Sequence, residues 1–149
     1  MSDEPIVVER RVAARPDQVW PYLTDGALWQ RWQGAHVAID PHPGGAFTMR
    51  MGDGREAAGR VLELRPGQRL VFTWGWTDEP DTLAPGSTTV EIDLVPDGDG
   101  TLIRLTHRDL PPPAAPIHEL GWHHYVARLA EVAGGGDPGP DPGPPAPAS

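Results

Sequence analysis

The stretch STTVEIDLVPDGDGTLIRLTHR, residues 87–108, decides the fold because two alternating apolar runs flank a short polar turn. Alternation with a period of two is the pattern of a strand that buries one face. A short connection between strands produces an antiparallel pair, since parallel pairs need a long crossover. The stretch therefore predicts a β-hairpin whose inward positions are Val90, Ile92, Leu94, Ile103, Leu105 and His107.

Five further segments have strand character, and short turns separate most of them. Asp53-Gly54 is a tight hairpin signal, and Arg65–Gln68 is a second turn. Successive strands joined in this way form an antiparallel meander. With the hairpin, these segments predict a sheet of seven strands; the five are 5–13, 35–40, 45–52, 56–64 and 69–76.

Helical patterns lie at two places along the chain. Two short helices, 16–25 and 27–32, follow the first strand, and Pro21 should leave the first of them short or kinked. A longer helix at about 118–133 follows the proline-rich stretch 111–116, which we expect to be a stiff linker. Its apolar stripe and its end at Gly134 are typical of a buried helix. The order predicts an α+β domain in which a curved antiparallel sheet wraps around the C-terminal helix.

Composition narrows the function classes. The 149 residues suit one domain, predicted at 1–134, and the Gly/Pro-rich stretch 135–149 is predicted to be a disordered tail. A net charge of −9 argues against partners such as nucleic acids or anionic membranes. The chain has no cysteine, and its N-terminus lacks a signal-peptide pattern. We expect a cytoplasmic protein that is not inserted in a membrane.

An aromatic concave face is the main functional candidate. Tryptophan usually fills cores, but rigid aromatics beside adaptable methionines also suit a cavity for an apolar ligand. The chain has six tryptophans, and both readings stay open for them. The candidate cavity-lining residues are Trp32, Phe47, Met49, Met51, Phe72, Trp74, Trp76, Val90, Ile92, Ile103, Leu105, His107, Trp122 and Val126.

Few polar residues suggest chemistry. His107 should point inward, where it either satisfies a packing hydrogen bond, contacts a ligand or transfers a proton. Arg10 falls on an apolar strand face, either paired with Glu63 or reaching solvent. His118 and His123 are five residues apart, which does not fit the zinc-protease spacing. We therefore predict neither a metal nor a cofactor, and no catalytic residue.

Several short motifs occur in an order typical of one family. The chain resembles the bacterial branch of the activator-of-heat-shock-protein-90-ATPase homologue family, within the START-like or SRPBCC superfamily. The similarity covers about Ile6–Gly134, and it departs from the family at Pro21 and at Gln33, which follows Trp32. The motifs that carry it are Ala14–Trp20, Leu23–Asp25, Trp32, Pro43–Gly45, Gly59–Glu63, Arg69–Trp74, Thr106-His107 and Gly121-Trp122.

The resemblance implies a helix-grip fold with an internal cavity, which relatives use for lipids, hormones, polyketides or aromatics. The leading hypothesis is a binding domain for an apolar or aromatic small molecule. A second is an enzyme of the cyclase or hydratase kind, with His107 and either Tyr125 or Arg10 as its polar groups. A third is a stress protein that acts as a chaperone partner, although kinship of fold does not transfer that activity.

Overall fold

A seven-stranded antiparallel sheet forms the framework of the computed structural model, which describes residues 5–79, 83–141 and 143. The strand order across the sheet is β1-β7-β6-β5-β4-β3-β2, so the first strand closes beside the last. The strands are β1 (Ile6–Val12), β2 (His36–Ile39), β3 (Ala46–Arg50), β4 (Glu56–Arg65), β5 (Arg69–Trp74), β6 (Thr88–Asp97) and β7 (Gly100–Arg108). This confirms the predicted α+β helix-grip architecture.

The hairpin of β6 and β7 has the predicted register. Val90 pairs with His107, Ile92 with Leu105, and Leu94 with Ile103. All six side chains are buried, so the alternation in the sequence marks the inner face of the sheet correctly.

Three one-turn helices follow β1, where two were predicted: α1 (Pro16–Val19), α2 (Pro21–Thr24) and α3 (Gly26–Trp29). The first predicted helix is divided at Trp20 because Pro21 has no amide hydrogen to continue the ladder. Asp25 begins α3 by accepting hydrogen bonds from the amides of Ala27 and Leu28.

The long C-terminal helix, α4 (Ala115–Ala133), begins earlier than predicted. Pro116 falls in its first turn, where a missing amide donor costs nothing, and a short 3-10 helix (Pro112–Ala114) precedes it. The stretch 111–116 is therefore largely helical, not an extended linker. The predicted end at Gly134 and the buried stripe of Trp122, Val126 and Leu129 are confirmed.

The proposed pairing of Arg10 with Glu63 is wrong. Arg10 is exposed on the edge strand β1, and Glu63 lies on β4. Three strands separate β1 from β4, a distance of roughly 19 Å across the sheet. Glu63 instead contacts Arg65 at 2.6 Å and Arg69 at 3.3 Å, and Arg10 takes the solvent-facing alternative.

Part of the C-terminal segment lies along α4. Arg128 donates to the carbonyl oxygen of Gly139 at 2.8 Å, and Nε2 of His124 lies 2.7 Å from Oδ1 of Asp141. Arg128 also donates to the carbonyl oxygen of Trp32 at 3.2 Å, so it links this segment to the loop after α3. Residues 142 and 144–149 of the predicted tail lie outside the described residues, as does the loop position Asp81.

Candidate functional site: a cavity between the helix and the sheet

A cavity of about 440 Å³ lies where the first half of α4 faces the end of β5. Its apolar wall comes from both elements and from the loops beside them. The principal apolar residues are Met51, Trp74, Trp76, Leu83, Ile117 and Trp122.

The tryptophans reach the cavity because of how β5 ends. Trp74 is the last residue of β5, and Trp76 continues the same face through an isolated bridge to Ala57. Gly75 lies between them where the backbone of Ala84 crosses, and any Cβ there would collide with the Ala84 carbonyl. Glycine at position 75 therefore lets the loop at Ala84 pass close to the backbone, while Trp74 and Trp76 point to the same side.

The Trp74 ring contacts the rings of Trp76 and Trp122 edge to face. Trp74 and Trp76 have ring centroids 5.5 Å apart and an interplanar angle of 85°. Trp74 and Trp122 are also 5.5 Å apart, at 62°. This is a favourable geometry for aromatic pairs, and it holds the wall of the cavity rigid.

Four of the predicted lining residues border this cavity: Met51, Trp74, Trp76 and Trp122. The other ten are buried in the core around it, because the helix and the curved sheet meet closely there. These ten are Trp32, Phe47, Met49, Phe72, Val90, Ile92, Ile103, Leu105, His107 and Val126.

Sequence reasoning left several polar lining residues off the candidate set. His118 and Tyr125 lie on the same helix face as Trp122, four residues before it and three after it, so helical spacing could have found them. Gln33 stands out in the sequence only as a departure from the family pattern. Arg55, in the hairpin after β3, carried no signal in the sequence.

His107 lies behind the cavity wall and holds it together. Nε1 of Trp122 donates to its Nδ1 at 2.9 Å, which places the ring proton on Nε2. Nε2 then donates to Oγ1 of Thr88 at 2.9 Å, and that hydroxyl donates to the Trp74 carbonyl at 2.7 Å. Burial, with a smaller effect from His118, lowers the pKa of His107 to about 3. His107 is therefore neutral at physiological pH.

His118 borders the cavity directly. Nε1 of Trp76 donates to its Nε2 at 3.1 Å, so its Nδ1 carries the proton and donates to the Ala114 carbonyl at 2.9 Å. Burial lowers the pKa of His118 from its ordinary value. Both ring nitrogens are thus engaged, and the ring fixes the orientation of Trp76.

The cavity rim is charged. The guanidinium of Arg55 stands over the Trp76 ring, 4.4 Å from its centroid, and Nε of Arg55 donates to Oδ2 of Asp53 at 3.0 Å. Hydrogen bonds from Arg55, the backbone amide first, lower the pKa of Asp53. Glu79 is also part of the lining. Charge at the rim above an apolar interior suits a ligand that enters from water.

A second, more open space of about 730 Å³ adjoins the cavity and shares Met51, Arg55 and Tyr125 with it. The C-terminal segment forms its other side through Asp137, Gly139, Pro140, Asp141 and Gly143. Burial, followed by the charge of Asp141, raises the pKa of Tyr125. Tyr125 therefore stays protonated and bridges the two spaces.

The described part of the chain contains neither a metal-binding group of side chains nor a helix that could span a membrane. Residues 5–79, 83–141 and 143 bring together no group of three or more His, Cys, Asp or Glu side chains that could hold a metal ion. Among the same residues, no helix has both the length and the apolar character needed to cross a bilayer.

The curved antiparallel sheet and the long C-terminal helix against it define a helix-grip fold. Residues 13–134 match the model of the family described as "Activator of Hsp90 ATPase homolog 1-like protein", and the chain belongs to that family. No curated protein matches the chain.

Solved structures agree with this assignment. The AHSA1-like protein RHE_CH02687 from Rhizobium etli is 39% identical, over 98% of this chain and 92% of that chain, with a TM-score of 0.68. CalU16 from Micromonospora echinospora is 29% identical in its solution structure, over 91% and 69%, with a TM-score of 0.75. DynU16, described as a putative protein in the dynemicin biosynthetic locus, is 25% identical, over 92% and 49%, with a TM-score of 0.78.

Proposed function

We propose that this protein binds a small apolar or aromatic molecule in the cavity between α4 and β5. The observation that carries the proposal is the space of about 440 Å³ walled by Trp74, Trp76 and Trp122. Pockets for small organic molecules are typically about 300–1,000 Å³ and mostly apolar. Three large side chains surround this space without filling it.

Binding is favoured over proton-transfer catalysis by the state of the two buried histidines. His107 does not border the cavity, and both of its ring nitrogens are already hydrogen-bonded. His118 does border it, but Trp76 and the Ala114 carbonyl occupy its nitrogens. A general base needs a free nitrogen within reach of the substrate, so these histidines serve better as supports for the wall.

The family description refers to a chaperone ATPase, but membership of a fold family does not by itself carry an activity. DynU16 is described by its place in a biosynthetic locus, which agrees with a small-molecule role for the shared fold. A small-molecule ligand is accordingly our first choice over a chaperone contact.

A cavity-filling variant tests the proposal. Gly121 borders the cavity, and a Cβ added there meets no atom within 4 Å. Gly121→Leu should therefore occupy the space, and leucine also favours the helix more than glycine does. We expect the neutral fluorescent probe N-phenyl-1-naphthylamine to bind the wild type, and to bind Gly121→Leu at least about tenfold more weakly.

The matched control is His123→Leu, which adds the same side chain at an exposed position of the same helix. Its probe affinity should equal that of the wild type, and circular dichroism should show that both variants are folded. If a folded Gly121→Leu binds the probe as the wild type does, the cavity is not the binding site.

A further inference from the structure

The side-chain amide of Gln33 is a buried polar group at the cavity wall. Gln33 is 2% exposed and borders the cavity. Nε1 of Trp29 donates to Oε1 of Gln33 at 3.0 Å. Because an indole nitrogen can only donate, this bond fixes the oxygen of the amide toward Trp29 and its NH₂ group away from it.

Among residues 5–79, 83–141 and 143, the bond from Trp29 is the one hydrogen bond of the Gln33 side chain, and its NH₂ group is not fully enclosed, so it stays open to a molecule in the cavity. Buried amide hydrogens are nearly always paired in folded proteins, with protein, water or ligand. Since Gln33 borders the cavity, an occupant of the cavity is the natural acceptor for these hydrogens.

Trp74 carries a second unpaired donor, although this one is enclosed by the packing around it. Its ring forms part of the cavity wall, and its Nε1 is buried without a partner among the described residues. The indole N–H groups of Trp29, Trp32, Trp76 and Trp122 do have partners. The unpaired indole therefore lies beside the cavity, and the indoles of the packed core are satisfied.

The other polar groups at the inner wall do not offset this excess of donors. Both nitrogens of His118 are engaged, as described above. Burial and the charge of Asp141 raise the pKa of Tyr125, so its hydroxyl stays protonated and adds no charged acceptor. The wall thus offers the amide hydrogens of Gln33 to a molecule that fills the space, and a turn of the Trp74 ring toward the space would add its indole hydrogen.

From this geometry we infer that Gln33 and Trp74 select ligands that carry a hydrogen-bond acceptor, such as an aromatic ketone, over hydrocarbons of the same shape. The inference rests on the proposed function, because it describes recognition in the same cavity. Gln33 becomes a specificity-determining residue, because its amide supplies a donor that an apolar side chain could not.

Fluorene and 9-fluorenone test the inference because they share one skeleton and differ in a carbonyl oxygen. The chain has no lysine, so the ketone cannot form an imine with a side-chain amine. Each probe is titrated against bound N-phenyl-1-naphthylamine, and the ratio of the two dissociation constants is measured. We expect the preference for 9-fluorenone to fall about 3- to 10-fold in Gln33→Leu, the loss of one hydrogen bond.

Trp74→Phe is the second variant, because Gln33→Leu also removes the acceptor of Trp29 and so has the greater risk of misfolding. It keeps an aromatic ring and removes the N–H group, and its preference for 9-fluorenone should fall by a similar factor. Gln68→Leu is the matched control, an identical change at an exposed turn outside the cavity, and it should leave the ratio unchanged.

The outcomes separate the two proposals. If both probes displace the dye and the ratio is the same in the wild type and in the folded variants, the inference is overturned and the binding function stands. If neither probe displaces the dye from the wild type, the ketone preference is overturned as well. If the dye itself fails to bind, the proposed function falls with it.

Discussion

The two ends of the space between helix and sheet use tryptophan in opposite ways. At the packed end, Trp29 and Trp32 stack with centroids 5.0 Å apart, and Phe47 and Phe72 close around them. At the open end, Trp74, Trp76 and Trp122 meet edge to face and leave a cavity of about 440 Å³. The same residue type fills one end and frames the other.

The difference comes from the elements that supply the rings. At the packed end, Trp29 and Trp32 come from α3 and the turn after it, and these short pieces place the rings against the sheet. At the open end, Trp74 comes from the end of β5, Trp76 from the bridge just after it and Trp122 from α4. The three rings stand around a space that no other side chain fills.

The strongest test of the comparison is removal of a packed-end ring. Trp29→Ala should lower the free energy of unfolding by about 3–5 kcal/mol, because it deletes a fully buried indole and leaves a cavity. Urea unfolding followed by circular dichroism measures the change. Trp20→Ala is the control, since Trp20 is only partly buried, and its cost should be clearly smaller. Equal losses would mean that the packed end is not tightly packed.

The inward positions of the sheet could be predicted from the sequence, but the contrast between the two ends could not. Alternation in residues 87–108 was enough to place six inward positions correctly, because burial of one sheet face requires a period of two. The same alternation could not distinguish a core residue from a cavity-lining one. Both kinds of residue point inward, and the packing of the helices against the sheet decides which inward residues border the remaining space.

Other features depend on contacts between distant residues. The bond from Trp122 to His107 joins a helix to a strand, and no local pattern in the sequence announces it. Arg55 reaches the cavity only because its hairpin folds toward Trp76. The predicted Arg10–Glu63 pairing is wrong for a related reason, because strand order is set by contacts between distant segments and three strands separate β1 from β4.

The second test concerns the hydrogen bonds that support the open end. His107 has a pKa of about 3 in the folded protein, well below the 6.5 expected when unfolded. Between these values the unfolded state binds one more proton, so the stabilising contribution is complete above pH 6.5 and is lost as the pH falls toward 3. We expect His107 to contribute a slope of up to about 1.4 kcal/mol per pH unit in that window.

The variant His107→Gln isolates this contribution. It cannot titrate, so the decline in its unfolding free energy between pH 6 and pH 4 should be shallower than in the wild type. Titration of the distant carboxylates is common to both proteins and cancels in the difference, and the change at His118, whose ring lies 5.7 Å from that of His107, is part of the measured effect. His36→Gln, at an exposed position, is the control and should follow the wild-type curve. Parallel curves for the wild type and His107→Gln would contradict a neutral, buried His107.

The test with the smallest expected effect replaces one tryptophan by phenylalanine at each end. Nε1 of Trp32 donates to the Tyr22 carbonyl at 3.0 Å, whereas Nε1 of Trp74 has no partner among the described residues. Trp32→Phe removes a hydrogen bond and leaves a carbonyl unsatisfied, while Trp74→Phe removes an unpaired donor. Trp32→Phe should therefore cost about 1–2 kcal/mol more than Trp74→Phe, measured by urea unfolding of ligand-free protein.

A bound ligand should reverse which of these two variants departs more from the wild type in stability. With saturating 9-fluorenone, the wild type gains stability through binding, and Trp74→Phe should gain less because its site lacks the indole donor. Trp32→Phe should gain as much as the wild type does, since Trp32 lies outside the cavity wall. Equal gains in all three proteins would show that the Trp74 N–H makes no contact with the ligand, and the two ends would then differ in packing alone.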